Sequence, residues 1–193
     1  MTRLAMTLLL TGLLAAATSH AGELQLVQPN TLLASKAKTF TVQPPVGWMC
    51  NLVKTQIGCS RDGFMLNGIT IDLRPHAKAF PRIKKTSSPD ALPEELAEDL
   101  VADIAAIPNL RDVKVVAVEP AELSGQPAFR VHWTYRLSEA MGGATYDGVA
   151  VGAAFTEGLL VAQFEAPRLN YFAKWLPVFD ATLPGVTVTP RHK

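Results

Sequence analysis

Beyond its N-terminal stretch the sequence has no apolar run of the ~18 residues that a spanning helix needs, no excess of either charge, and only two cysteines in 193 residues. Each shortage excludes something. The first leaves the body of the chain without a candidate membrane helix, and the second removes the long-range field that nucleic acids select, with 18 Lys plus Arg against 17 Asp plus Glu. The cysteines, Cys50 and Cys59, are too far apart for the Cys-x-x-Cys spacing of a redox pair. Common chemical motifs are missing as well. There is no Gly-x-Ser-x-Gly elbow, no phosphate-cradling Gly-x-x-x-x-Gly-Lys loop, no dinucleotide fingerprint and no His-Glu-x-x-His, and His76, His132 and His192 stand apart from one another. The sequence therefore supplies no cofactor and no metal ligand set.

At the N-terminus Arg3 precedes an apolar run through Leu8, Leu9, Leu10, Leu13 and Leu14, which exits at Ser19-His20-Ala21. That order describes a secretory signal peptide over residues 1–21, with cleavage before Gly22. Residues 22–193 are then one α+β domain, periplasmic or secreted, with no membrane span after cleavage. Loss of Arg3 leaves 17 basic against 17 acidic residues. In such a compartment an even cysteine count predicts a Cys50–Cys59 disulfide, and closing a ten-residue loop stabilises a fold by roughly 2.5 to 3 kcal/mol in the chain-entropy view.

The strongest pattern runs from Gln126 to Glu165. Phe129, Val131, Trp133, Tyr135 and Leu137 alternate with Arg130, His132, Thr134 and Arg136; Tyr146 to Phe155 and Leu159 to Glu165 follow after short turns. This is a three-strand antiparallel meander with one dry face and one wet face. Gly148, Gly152 and Gly158 fit turns and close packing. Upstream, Thr39 to Val42 is a short strand, Trp48 to Val53 and Ile57 to Ser60 form a hairpin that brings the cysteines together, and Gly68 to Arg74 alternates again. The Lys- and Pro-rich segment 75–89 reads as an exposed loop with Arg82, Lys84 and Lys85 in solvent.

A helix follows, with Leu92, Leu96, Leu100, Ile104 and Ile107 on one stripe and Glu94, Glu95, Glu98, Asp99 and Asp103 largely outside it. Ser88 or Asp90 is placed to cap it. Burying such a stripe on a sheet is worth about 1.5 to 3 kcal/mol per side chain before entropy. Val113 to Val118 is a strand ending at Glu119-Pro120. Leu169 to Leu183 reads as a second amphipathic helix that Pro177 kinks or divides, and Val186 to Thr189 as a last edge strand.

Several stretches resemble the Mog1/PsbP-like group, which includes photosystem II PsbP, the Ran-binding protein Mog1 and bacterial DcrB-type proteins. They are Phe40-Thr-Val-Gln-Pro44-Pro45-Val-Gly47-Trp48, the helix around Glu94 to Ile107, Leu123-Ser-Gly125-Gln-Pro127-Ala, and Tyr171-Phe172 after Ala166-Pro167. The resemblance implies an antiparallel sheet covered by helices in α/β/α layers. It also implies a binding, chaperone or assembly role rather than catalysis.

The surface to watch is the row Arg130, His132, Thr134 and Arg136, whose chemistry suits an anion or an acidic partner. Thr70, Asp72 and Arg74 are candidates to extend it. The first functional reading is a non-catalytic accessory protein that meets another envelope or secreted protein, or a small anionic ligand. The alternative is a periplasmic hydrolase-like enzyme whose site is dispersed in sequence, with His76 or His132 near a Ser, Asp or Glu.

Overall fold

The computed structural model describes residues 24–190; the signal peptide expected over 1–21 and His192 lie outside the described residues. The described strands are β1 (Leu24–Leu26), β2 (Leu33–Ala34), β3 (Phe40–Val42), β4 (Met49–Leu52), β5 (Gln56–Ser60), β6 (Gly68–Arg74), β7 (Leu110–Leu123), β8 (Gln126–Leu137), β9 (Thr145–Phe155), β10 (Gly158–Pro167) and β11 (Thr187–Val188). Helix α1 is Pro93–Ala105 and α2 is Ala173–Thr182. An antiparallel sheet runs β1-β4-β5-β6-β10-β9-β8-β7, and β11-β3-β2 form a small second sheet. The expected α+β layering is present. In the β4–β5 hairpin Cys50 lies directly opposite Cys59, and the two are joined by a disulfide.

The meander β8-β9-β10 follows the alternation, but neither of its faces is wet. On one, Phe129, Val131, Trp133, Tyr135 and Leu137 pack under Leu96, Ala97, Leu100 and Ile104 of α1. On the other, Val149, Val151, Leu160, Ala162 and Phe164 pack against Phe172, Phe179 and the small-sheet residues Phe40 and Val42. The cause lies in β9 and β10, which are apolar on both parities through Val149-Ala150-Val151 and Leu159-Leu160-Val161-Ala162. Strands of that kind need a cover on each side. The aromatic rings of β8 find room because Trp133 stands opposite Gly148 and Phe129 opposite Gly152.

Five local expectations are corrected or refined. Helix α1 starts at Leu92, which makes no side-chain cap and is 58% exposed; Pro93 at its first position and Glu94 and Glu95 in its first turn serve instead. Asp103 does not lie on the wet side of α1. It is fully buried, and it accepts hydrogen bonds from the Arg82 and Ile83 amides at 2.6 and 3.3 Å and from Arg82 Nη1 at 2.9 Å. Segment 75–89 keeps Arg82, Lys84 and Lys85 exposed as expected, but it is also docked: Ala79 and Phe80 are buried, and Lys85 pairs with Asp99 at 2.6 Å.

Strand β7 does not stop at Glu119 but continues through Pro120 to Leu123. It is the last strand of the sheet, so the missing amide deprives no neighbour of a donor. Pro177 does not divide the C-terminal helix: it lies inside α2, which continues through it to Thr182 at the cost of one intrahelical hydrogen bond. The break comes before it, at Leu169 and Asn170, where Asn170 adopts φ 69°.

Candidate functional site

The row on β8 lies on the face that the C-terminal segment covers, and each member has a distinct environment. Arg130 Nη1 donates to Asp180 of α2 at 2.8 Å. The His132 ring stacks on Phe172, with centroids 5.2 Å apart. Its Nε2 is buried, 3.4 Å from Asp147 Oδ1, and makes no hydrogen bond. Thr134 donates to the Tyr146 carbonyl at 3.0 Å and accepts from Arg168 at 2.6 Å, and Arg168 also grips both Asp147 oxygens at 2.9 and 2.8 Å. Arg136 pairs with Glu139 at 3.0 Å.

Thr70, Asp72 and Arg74 do not extend the row. Two strands separate β6 from β8, and the other parity of β6 (Ile69, Ile71, Leu73) is the one that enters the core beneath α2.

One end of the row is open. Between β7 and α2 a cleft of about 100 Å³ is lined by Glu119, Arg130, His132, Phe172 and Leu176. It offers Arg130, which is already paired with Asp180, and one imidazole against two apolar walls, with the Glu119 carboxyl also in the lining. It therefore has room for at most a single acidic group and not for an extended polyanion. Its wall residues Phe172 and Leu176 belong to the segment read as amphipathic, whereas the Asp147–Arg168 clamp was missed in sequence because its partners are 21 residues apart.

A second cleft, of about 190 Å³, opens on the α1 side of the sheet past the end of that helix. Phe64, Met65, Met141, Tyr135, Tyr146 and Glu165 line it. The Tyr135 and Tyr146 rings stack 5.4 Å apart, and Tyr146 Oη donates to the Met65 carbonyl at 2.7 Å. Burial pushes the Glu165 carboxyl up from 4.5 to about 7, against the opposing pull of Gln163, Arg82 and Tyr135. Burial also raises Tyr135 and Tyr146, and the Glu165 charge adds to the rise in both. The sequence signal for this cleft is an acid on the parity that carries Leu159 and Val161 in β10.

The raised carboxyl has a stability consequence. Between pH 4.5 and about 7 the folded state holds the Glu165 proton after the unfolded chain has released it, so stability is lost as pH rises through this window. Glu165→Gln is expected to gain roughly 2 to 3 kcal/mol over the native protein near pH 8 and almost nothing near pH 4. Urea unfolding at both pH values checks this, and equal gains at the two would contradict it.

Comparison with solved structures places this architecture. A Mog1 point mutant aligns at TM-score 0.57 with 11% identity, over 83% of this chain and 96% of that one. The chain has the Mog1/PsbP-like fold. The Saccharomyces cerevisiae Ran-binding protein Mog1p aligns at TM-score 0.57 with 10% identity, over 87% and 96% of the two chains, and the cyanobacterial PsbP of Synechocystis at 0.55 with 10% identity, over 82% and 92%. No protein-family model and no curated protein matches the sequence.

Within this Mog1/PsbP-like frame, the described residues hold no group of three or more His, Cys, Asp or Glu able to bind a metal ion. None of the described helices is long and apolar enough to cross a membrane. His76 is tied on both ring nitrogens: Nε2 lies 2.8 Å from the Phe155 carbonyl and Nδ1 2.8 Å from Ser87 Oγ. A carbonyl only accepts, so Nε2 carries the proton, and in the neutral ring Nδ1 accepts from the serine hydroxyl.

Proposed function

We propose that the protein is an exported, non-catalytic binding, chaperone or assembly-accessory protein, which meets an acidic group of an envelope or secreted partner at the Arg130–His132 cleft. The observation that carries this reading is that His132 and Arg130 together line an open cleft, with the His132 Nε2 making no hydrogen bond although Asp147 Oδ1 lies 3.4 Å away. A ligand carboxylate there would lie against the imidazole and would compete with Asp180 for the Arg130 guanidinium. Export is supported by the charged-apolar-small pattern of residues 1–21 and by the Cys50–Cys59 bridge, since disulfides persist in oxidising compartments. Protein binding is supported by the Mog1/PsbP-like fold, one of whose solved examples is a Ran-binding protein.

The test is site-specific photo-crosslinking from position 119 in the native envelope, followed by binding measurements between the purified partner and this protein. Arg130→Ala and His132→Ala are each expected to weaken binding by about tenfold, the range of a charge-assisted hydrogen bond. A partner indifferent to both substitutions would remove the cleft from the reading.

A second reading, a hydrolase-like enzyme with a dispersed site, is favoured by the Ser87–His76 hydrogen bond at 2.8 Å. Here a backbone carbonyl takes the place that a carboxylate holds in a triad, so the imidazolium would be less well stabilised. Labelling of the native protein but not of Ser87→Ala by a fluorophosphonate probe would decide for it. Absence of labelling leaves the bond as a clasp between the two ends of loop 75–89.

A further inference from the structure

The cleft that contains Glu165 lies on the opposite face of the sheet from Arg130 and His132, and it carries different chemistry. Its rim residues Phe64, Met65 and Met141 are 50%, 53% and 43% exposed, large apolar side chains gathered about one opening. Aromatic rings and thioethers lie about a carboxyl that no cation of the protein satisfies. Arg82, the cation whose charge reaches Glu165, donates instead to Asp103 at 2.9 Å. Tyr146 spends its hydroxyl hydrogen on Met65, so of the two ring hydroxyls Tyr135 remains to donate to the acid. An acid left in this state is complementary to a positive charge on an apolar stem, because ring faces attract cations and the rim covers the stem.

We propose that this cleft binds an organic ammonium group carried on a short apolar chain, with Glu165 as its counter-ion and the Tyr135 and Tyr146 rings as its walls. The charged and titratable groups that act on the Glu165 carboxyl are Arg82, Tyr135 and Tyr146. Both tyrosines are held above their ordinary range and stay neutral near pH 7, so Glu165 is the group that titrates there. A bound cation draws the proton off the carboxyl. Binding is therefore coupled to proton release, which a purely apolar pocket would not produce.

The experiment is calorimetric titration of the full protein with n-hexylammonium and, as its neutral counterpart, n-hexanol. With the free carboxyl titrating at about 7, single-proton linkage makes n-hexylammonium bind about 30-fold more weakly near pH 5.5 than near pH 8.5, and release about half a proton per ligand near pH 7. Hexanol is expected to bind about tenfold or more weakly than n-hexylammonium near pH 8.5, with no pH dependence. Glu165→Gln should lose the ammonium preference while keeping or raising its melting temperature. Arg130→Ala should leave ammonium binding unchanged, which keeps this site separable from the Arg130–His132 cleft.

Equal affinity for the amine and the alcohol, a pH-independent amine affinity, unchanged amine binding in Glu165→Gln, or no amine binding at all would each overturn the proposal. Should Glu165→Gln fail to fold, the pH dependence and proton release of the native protein decide alone.

Discussion

Gly148→Ala is expected to destabilise the protein by about 2 to 4 kcal/mol, toward or beyond the upper end of ordinary overpacking. A β-carbon at Gly148 would overlap Cε2 and Cζ2 of the Trp133 indole directly across the β8–β9 pair. Trp133 has no exposed surface and lies in the core under α1, so the ring has no free space to move into. The complementary change, Trp133→Ala, should cost about 3 to 5 kcal/mol through the cavity it leaves.

The decisive variant is Trp133→Phe. It shortens the ring on the side that faces Gly148 and removes an indole N–H that is buried without a partner, so it should cost about 1 kcal/mol, the lost area being offset by relief of that orphan donor. In its background Gly148→Ala should cost less than half of what it costs in the native protein. Urea unfolding of the four proteins measures the coupling, and strict additivity would show that the glycine is not there for the ring.

The second large effect is expected at Asp103. Its carboxylate holds two backbone amides and the guanidinium of segment 75–89 against α1. Asp103→Ala leaves the Arg82 and Ile83 amides without their acceptor and should cost about 3 kcal/mol, less than a fully buried ion pair because the Arg82 side chain is 45% exposed. Arg82→Ala keeps both amides on the carboxylate and should cost about 1 to 2 kcal/mol. Hydrogen exchange should show the Arg82 and Ile83 amides losing protection in Asp103→Ala and largely retaining it in Arg82→Ala. Equal stability losses in the two variants would mean that the charge, and not the amide anchoring, holds the loop.

Asp103 also illustrates what periodicity leaves out. The apolar stripe of α1 is plain in Leu96, Leu100 and Ile104, yet the face it defines includes position 103. Whether an acid there meets water or a loop depends on Arg82 and Ile83, about twenty residues earlier in the chain. The same limit applies to both faces of the meander. The alternation of β8 reads as wet and dry, and only the two-sided apolar character of β9 and β10 signals a second cover. Strand β6 and the β4–β5 hairpin were legible because turn residues and cysteines delimit them locally. The small sheet was legible only in part, since its pairing of β3 with β11 joins residues far apart in the chain. For the binding surface, the row from Arg130 to Arg136 is visible as a row, but the residues that stand over it, Arg168, Phe172 and Asp180, come from the C-terminal segment, whose docking no spacing rule specifies. Glu165 lies on the β10 parity of Leu159 and Val161 and Tyr135 on the dry parity of β8, but their meeting depends on strand order.

Strand β7 is the sheet's outer rim, and it carries Val115, Val116 and Val118 exposed to solvent. A rim of that length with bare valines would ordinarily invite a second chain to zip onto it. Pro120 withholds a donor there, the irregular stretch between Arg111 and Ala117 throws the remaining amides out of step, and Arg111, Lys114, Glu119 and Glu122 surround the valines with charge. These features disfavour edge-to-edge pairing, and the proline that looked like a strand terminator contributes to a rim unsuited to self-templating.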